Sequence, residues 1–100
     1  MSSDTAVTIT REDGESKGRY VARVEGIAET AEMTYSRAGT SRIIIDHTGV
    51  PTAMRGMGVG EKLVRRGVED ARKEGVKIIP LCPFAKATIE KHKELQDVLN

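Results

Sequence analysis

The hydrophobic period of this chain changes once along its length, and that change sets the order of its secondary structure. Residues 5–48 alternate apolar with polar side chains, which is the period of strands that bury one face. Glycines and polar turns divide this half into four short runs, so we expect an antiparallel meander of four strands. Residues 56–100 have a helical period, apart from one strand-like run within them.

The fourth run of the first half differs from the others because Ile43, Ile44 and Ile45 are apolar at every position. A strand without polar alternation is typically covered on both faces. We therefore expect the fourth strand to lie in the interior of the sheet.

A long amphipathic helix is predicted after this strand, because apolar or small residues recur every three or four positions. These residues are Gly60, Leu63, Val64, Gly67, Val68 and Ala71. Charged side chains fill the rest of the helix, and we interpret the charged face from Arg65 to Lys73 as solvated. Gly75 follows the last turn and predicts where the helix ends.

The segment from Val76 to Leu81 predicts a short fifth strand, and Pro83 marks the start of a second helix that continues to His92. The order is therefore β-β-β-β-α-β-α. A strand, a helix and a strand in succession form a right-handed crossover with parallel strands. The predicted fold class is α/β, with a mixed sheet in which strands 1–4 are antiparallel and strands 4 and 5 are parallel.

Composition narrows the functional classes. The length of 100 residues predicts a single domain over residues 1–100, and 16 Lys plus Arg against 15 Asp plus Glu leave a net charge of only +1. The balanced charge and the 3% aromatic content argue against a nucleic-acid partner. The longest apolar run is about three residues, so we expect no membrane-spanning segment.

Targeting and metal chemistry are not indicated either. Residues 1–4 lack the basic and apolar regions of a signal peptide, and we expect them to be disordered in a cytoplasmic protein. The single cysteine, Cys82, excludes an internal disulfide, and with only two histidines beside it the sequence argues against a structural metal site.

The segment that carries chemistry lies between the fourth strand and the long helix. It reads Arg55-Gly56-Met57-Gly58-Val59-Gly60. Alternate glycines permit positive φ and let backbone N–H groups converge, and a helix N-terminus adds unpaired N–H groups and a partial positive charge. Together with the Arg55 guanidinium they predict an anion site suited to phosphate or pyrophosphate. The alternative is a strand-to-helix turn whose glycines serve only tight packing.

Two further motifs extend this pattern. Arg55, Gly58 and Gly60 form an Arg-x-x-Gly-x-Gly motif that resembles the acyl-coenzyme A pyrophosphate loop of the Gcn5-related N-acetyltransferases. The segments His47-Thr48-Gly49-Val50-Pro51 and Pro80-Leu81-Cys82-Pro83-Phe84 resemble those of the small single-domain members of that superfamily. The resemblance spans roughly residues 20–95.

This resemblance implies the place of a cofactor. In the superfamily the sheet splays open between the fourth and fifth strands, and acetyl-CoA lies in the gap. By resemblance, Val50 borders the pantetheine, and backbone N–H groups from Met57 to Glu61 hold the pyrophosphate, with Arg55 and Gly56 in the same loop. Acetyl-CoA or coenzyme A is therefore the expected cofactor.

Two positions depart from the pattern of the small relatives. These relatives usually carry an acidic residue between the Thr and the Val of the first motif, where this chain has Gly49. A proline commonly follows the histidine at the end of the last helix, where this chain has Lys93 after His92. Both departures lie outside the cofactor loop, so they bear on catalysis and local shape rather than on cofactor binding.

Two side chains are candidate catalytic residues. Cys82 precedes Pro83 at a helix N-terminus, which favours its thiolate, although most free cysteines are buried apolar residues. His47 ends the fourth strand and is a candidate proton acceptor for an ammonium substrate, an orienter of Cys82, or a cap for its strand. Because parallel strands end at the same sheet edge, we expect His47 and Cys82 at one crevice. We interpret His92 as an imidazolium that the helix dipole stabilises.

These features favour an enzyme that transfers an acetyl group from acetyl-CoA to a primary amine of a small molecule or a protein side chain. The alternative is a CoA-binding module without turnover, which Gly49 in place of a carboxylate favours. A chain of this length leaves little room for the N-terminal helices that bind the amine in the superfamily. A protein partner, a homodimer or a protein substrate would then supply the missing wall.

Overall fold

Five strands and two α-helices form in the order that the sequence predicts, in a computed structural model that describes residues 6–99. The elements in chain order are β1 (Val7–Asp13), β2 (Lys17–Val24), β3 (Thr30–Ala38), β4 (Arg42–Gly49), α1 (Val59–Glu74), β5 (Lys77–Pro80) and α2 (Pro83–Lys91). Two 3-10 segments, which the sequence analysis did not predict, span Thr52–Met54 and Lys93–Val98. The expectation for residues 1–4 lies outside the described residues.

The strands form one sheet in the order β1-β2-β3-β4-β5. The first four strands pair antiparallel and β4 pairs parallel with β5, which confirms the predicted mixed sheet and the interior position of β4. The parallel pairing ends at Ile45 and Pro80. Beyond Pro80, the N–H groups of Leu81 and Cys82 both donate to the Ile45 carbonyl oxygen at 3.1 Å instead of continuing the ladder. Because β4 continues to Gly49, the two strands part at their carboxyl ends.

The core lies between the helices and one face of the sheet. Alternate residues of β2 and β3 point to this face, where Tyr20, Met33 and Tyr35 are buried in one cluster with Leu63 and Val68 of α1. Side chains of α2 join the same cluster. The alternation confirms the predicted one-sided burial of β3, whereas in β2 the prediction is wrong at Val21, which lies on the opposite face and is also buried.

α1 is an amphipathic helix of 16 residues that packs closely on the sheet. Gly67 permits the close approach, since a Cβ atom there would lie 2.8 Å from Cε of Met33. Gly75 ends the helix in the left-handed conformation at φ 71°, as the sequence predicts. Within residues 6–99, no helix has both the length and the apolar composition that crossing a membrane requires.

Two side chains correct the sequence interpretation. Ile43 and Ile45 are buried, but Ile44 is only half-buried, because it lies on the opposite face of the sheet, which carries mainly polar side chains. The prediction that this run is covered on both faces is therefore wrong at Ile44. The interpretation of the charged face of α1 as solvated is wrong at Asp70, which is buried and accepts a hydrogen bond from the Tyr20 hydroxyl at 2.8 Å.

Candidate functional site

A cleft of about 470 Å³ opens where β4 and β5 part, bounded by the end of β4, the start of α1 and one side of α2. Most of the residues predicted to bind the cofactor line it. They are Val50, Arg55, Gly56, Gly58, Val59, Gly60 and Glu61. Met57, which was predicted with them, is exposed outside this lining, and its backbone N–H donates to the Met54 carbonyl oxygen at 3.3 Å. That N–H is already occupied, so we leave Met57 out of the anion donors.

Gly56 and Gly58 shape the loop by adopting the left-handed conformation, with φ angles of 81° and 72°. Residues with a Cβ atom rarely adopt these angles, so the backbone favours glycine at both positions. A Cβ atom built on either residue would meet nothing within 4 Å. The loop therefore leaves open space directly above its backbone, and a side chain here would project into that space.

α1 begins at Val59 with its first backbone donors open. Gly58 is the N-cap and has no side chain to cap the helix. The first hydrogen bond within the helix runs from the Lys62 N–H to the Gly58 carbonyl oxygen at 3.0 Å. The N–H groups of Val59, Gly60 and Glu61 therefore lack an acceptor within the helix, and together with the positive end of the helix dipole they suit an anion.

Gly60 has a different role from the other two glycines of the loop, because it lies beneath the Phe84 ring. A Cβ atom there would be 2.6 Å from Cζ of Phe84 and 3.4 Å from Cγ2 of Val50. Glycine thus allows Phe84, which is 45% exposed, to form one wall of the cleft. Phe84 belongs to the Pro80-Leu81-Cys82-Pro83-Phe84 motif, but its place in the cleft was not predicted.

α2 contributes a wall that the sequence analysis missed. Phe84, Thr88 and Lys91 occur at positions i, i+4 and i+7, on one face of the helix, and all three line the cleft. That spacing could have predicted from the sequence that these three residues share one wall of the cleft. Met54 of the first 3-10 segment is buried and also lines the cleft, but no sequence pattern predicts its place there. His92 lies one residue beyond α2 in an extended conformation, so the interpretation of His92 as a helical residue is wrong.

The charge of the cleft favours an anion. Arg55 and Lys91 are exposed among its lining residues. Glu61 also lines the cleft and is ionised, since Arg65 donates to its carboxylate at 2.9 Å and lowers the pKa of Glu61, but the same guanidinium compensates its negative charge. His92 Nε2 lies 3.6 Å from the same carboxylate. In residues 6–99, no group of three or more His, Cys, Asp or Glu side chains is placed to hold a metal ion.

Cys82 lies behind the wall of the cleft. It is 5% exposed, and its Sγ is 3.5 Å from Oγ1 of Thr48, which does line the cleft. The Cys82 thiol donates to Oγ1 of Thr48, and burial raises its pKa. Once ionised, the sulfur accepts hydrogen bonds from the Thr48 hydroxyl and from the backbone N–H groups of Phe84 and Ala85, and these outweigh burial and lower the pKa. The sulfur of the thiolate therefore accepts hydrogen bonds from backbone N–H groups at the start of α2, whereas the first N–H groups of α1 have no such acceptor.

His47 lies on the opposite face of the sheet from Cys82. Its neighbour Thr48 pairs with Met33, which is buried on the helix side, so His47 points to the polar face. Its imidazole leans over Gly49, because Nε2 lies 3.1 Å from the position of a Cβ atom on that glycine. The structure therefore does not bring the two predicted catalytic side chains together.

The comparisons with known proteins agree with this fold. A family model of the GCN5-related N-acetyl-transferases matches residues 19–98. The chain therefore belongs to the GCN5-related N-acetyltransferase family, as its three motifs predicted.

Individual proteins are similar to this chain in sequence or in fold. The solution structure of a GCN5-like protein from Staphylococcus aureus, assigned to the N-acetyltransferases, is similar with a TM-score of 0.69 and 37% identity, over 99% of this chain and 91% of that chain. Protein NATD1 of Xenopus tropicalis is 23% identical over 91 residues, which cover 91% of this chain and 84% of the relative. The crystal structure of nourseothricin acetyltransferase has a TM-score of 0.58 at 20% identity, over 80% of this chain and 49% of that chain, a likeness of fold alone. The family and its acetyltransferase relatives support acyl transfer as the general activity.

Proposed function

We propose that the protein transfers an acetyl group from acetyl-CoA to a primary amine. The observation that carries this proposal is the open loop before α1, where two left-handed glycines and three unpaired helix donors face one cleft. Family membership supports acyl transfer in general, and the chemistry of the loop supports an acyl carrier that bears phosphate groups.

The residues of the cleft fit coenzyme A. The N–H groups of Val59, Gly60 and Glu61, together with the Arg55 guanidinium, would hold its pyrophosphate. The space above Gly56 and Gly58 is open to the phosphate oxygens because neither residue has a Cβ atom. The Val50 side chain and the Phe84 ring offer apolar surface to the pantetheine.

The remaining roles belong to residues around the end of β4. Bound acetyl-CoA would supply an acetyl thioester: the amine nitrogen would form the new amide bond to the acetyl carbon, the C–S bond would break, and CoA would leave as a thiolate that takes up a proton from the amine nitrogen or from water. We assign the backbone N–H of Val50 to the thioester carbonyl oxygen. His47 is the proposed proton acceptor for the amine, since its imidazole is exposed beside Gly49 at the end of the same strand. Cys82 is proposed as a positioning residue that acts through its contact with Thr48.

Two measurements test this function. Calorimetric titration with CoA and with acetyl-CoA tests cofactor binding, and thiol release from acetyl-CoA in the presence of mixed primary amines tests transfer. We expect binding of both ligands and thiol release that depends on the amine. Binding without such release would indicate the alternative, a CoA-binding module, and the absence of binding would overturn the proposal.

The two histidines provide a matched pair of variants. His47→Gln should lower turnover at neutral pH without changing the affinity for CoA, because His47 lies outside the cleft. His92→Gln should change the affinity for CoA, because His92 lines the cleft. Unchanged turnover in His47→Gln would remove His47 from proton transfer and leave that step to water.

A further inference from the structure

A shallow depression lies on the polar face of the sheet, beside the end of β4. It has a volume of about 480 Å³ and is bounded by Thr30, Glu32, Gly49, Val50 and Pro51. Val50 also lines the cleft described above. The depression and the cleft therefore share one lining residue, near the point where β4 and β5 part.

The register of the sheet places one carboxylate at this depression. Glu32 of β3 pairs with Gly49 of β4. Directly opposed residues of an antiparallel pair project from the same face with their Cβ positions about 4.5–5.5 Å apart. Because Gly49 has no side chain, only its backbone lies beside the Glu32 side chain. The His47 imidazole, on the same face of the sheet, also contacts the space above Gly49, since its Nε2 lies 3.1 Å from the position of a Cβ atom there.

The charge around Glu32 is negative. Arg19 donates from Nη1 to Oε1 of Glu32 at 3.1 Å and from Nε to Oε1 of Glu12 at 2.9 Å. Two carboxylates thus share one guanidinium, and this group of three side chains carries a net charge of −1. The Glu32 side chain remains 39% exposed. Arg23, on the same face, pairs with Thr30 and lines a neighbouring depression that shares Thr30 with this one, so one positive charge borders the depression at its Thr30 end, away from Gly49.

We propose that this depression receives the acceptor substrate as a primary ammonium, with the Glu32 carboxylate as its recognition group. This inference rests on the proposed function, because it assigns the place of the acceptor in the acetyl transfer. The negative charge of the Glu12, Arg19 and Glu32 group selects an alkyl ammonium, such as a lysine side chain or a polyamine.

The test uses the CoA-loaded protein, in which no transfer can occur, and n-butylammonium as the probe. Amide shifts in nitrogen-15 NMR should change at Thr30, Glu32, Gly49 and Val50 as the probe is added. Glu32→Gln should weaken probe binding by about fivefold, the upper range for an ion pair that solvent reaches. The neutral analogue 1-butanol should leave these shifts unchanged.

A matched control is available on the same face. Asp46→Asn removes one negative charge next to Ser36, which lies four residues along β3 from Glu32, or about 13 Å away. It should change probe affinity by less than about twofold, because water and salt screen charges at that distance. Equal weakening by the Asp46 and Glu32 variants would show that only general charge matters and would overturn the site.

A second variant keeps the proposal testable if Glu32→Gln does not fold. Gly49→Val fills the depression without changing any charge, and it should weaken the probe while leaving CoA affinity unchanged. Probe binding confined to the cleft, no binding to the wild type, or wild-type affinity in the variants would each overturn the proposal.

If amines are acetylated with a wild-type KM in Glu32→Gln and Gly49→Val, the proposed function stands and this site falls. If the probe binds in a Glu32-dependent way but no amine is acetylated, the site stands and the proposed function falls.

Discussion

The two ends of α1 are built in opposite ways. At its N-terminal end, Gly58 leaves the first backbone donors of the helix open to a cleft. In its C-terminal half, Asp70 is buried and accepts a hydrogen bond from the Tyr20 hydroxyl at 2.8 Å. The guanidinium groups of Arg11 and Arg66 add contacts to Asp70 at 3.4 Å and 3.3 Å. One end therefore leaves polar groups for a ligand, and the other satisfies them within the protein.

The Arg11 side chain extends the second region from β1 to α1. Its guanidinium carbon lies 5.4 Å from the ring centroid of Tyr20 and 5.2 Å from that of Tyr35, and its Nη1 lies 2.5 Å from Oε2 of Glu74. Burial raises the pKa of Tyr20, and the hydrogen bond to Asp70 raises it further, so the hydroxyl remains a donor. We infer that this network anchors α1 to the sheet.

The largest expected effect comes from removing the anchor. Asp70→Ala should lower the free energy of unfolding by about 3 kcal/mol, because it leaves the Tyr20 hydroxyl and two guanidinium groups without their buried acceptor. Urea unfolding followed by circular dichroism measures this change. The affinity of the folded protein for CoA should change by less than about twofold, since distant sites act independently.

An exposed ion pair of the same helix serves as the control. Asp97→Asn removes the partner of Arg72, which is exposed, and should have a much smaller effect on unfolding because solvent screens that pair. Equal losses in the two variants would show that the burial of Asp70 is not the cause. Loss of CoA binding in Asp70→Ala at a temperature where it is folded would show that the two ends of α1 are coupled.

The next largest effect is expected at the open end. Gly58→Val should weaken CoA binding by about a hundredfold, or about 2.7 kcal/mol, because the side chain would project into the space for phosphate and disturb its charged hydrogen bonds. Isothermal titration measures the affinity. The same change should also lower stability, since valine is strained at φ 72°.

Gly39 separates strain from ligand contact. It has a φ of 71° and, like Gly58, open space around the position of its Cβ atom, but it lies in the turn between β3 and β4. Gly39→Val should therefore destabilise the protein by a similar amount, about 1–2 kcal/mol, without changing CoA affinity. If Gly58→Val binds CoA as tightly as Gly39→Val does, the loop is only a turn.

The same contrast separates what the sequence predicts from what it does not. Glycine spacing and hydrophobic period are local properties, and they predicted the strand order, the helix and the anion loop at residues 55–60, while the family resemblance assigned Val50 and Glu61 to the cofactor. The anchor is not local, because Asp70 is 50 residues from Tyr20 and 59 residues from Arg11 in the sequence. In the sequence, a buried charged residue with such distant partners occupies the same helical position as a solvated one, so the two cannot be told apart.

The position of His47 shows a second limit of sequence analysis. The pairing of β3 with β4 shifts between Thr34 and Tyr35, so that Thr34 pairs with His47 and Tyr35 pairs with Ile45. Asp46 is the extra residue of this irregularity, and an extra residue reverses the faces of everything that follows it. Simple alternation would place His47 on the helix side with Ile45, whereas the shift turns His47 outward. No residue type in the sequence marked this shift.

A smaller effect is expected where Gly60 contacts Phe84. Gly60→Ala should weaken CoA binding by about fivefold, or about 1 kcal/mol, because the new Cβ atom would displace the Phe84 ring, now 2.6 Å from that position. Stability should change little, since alanine favours the helix by about 1 kcal/mol over glycine and offsets the disturbed packing. Titration of Gly60→Ala combined with Phe84→Ala should give the affinity of Phe84→Ala alone. Additive losses would show that the ring does not transmit the effect.

The smallest effect is expected at the start of α2, where Cys82 provides a contrast with the open start of α1. Because the pKa of Cys82 is lowered in the folded protein, ionisation stabilises the fold at pH values above the ordinary thiol pKa, and this contribution is lost as the pH falls through the folded value. The difference in unfolding free energy between the wild type and Cys82→Ala should therefore be larger at pH 10 than at pH 6. Thr48→Val removes the hydroxyl donor and should reduce that pH dependence. A stability difference that shrinks as the pH rises would show that the donors at the start of α2 do not stabilise the thiolate.

The activity of the same variant separates two roles of Cys82. If Cys82 only positions Thr48, the Cys82→Ala protein should keep most of its amine-dependent thiol release. Complete loss of release in a folded Cys82→Ala protein would point to an acyl-cysteine intermediate.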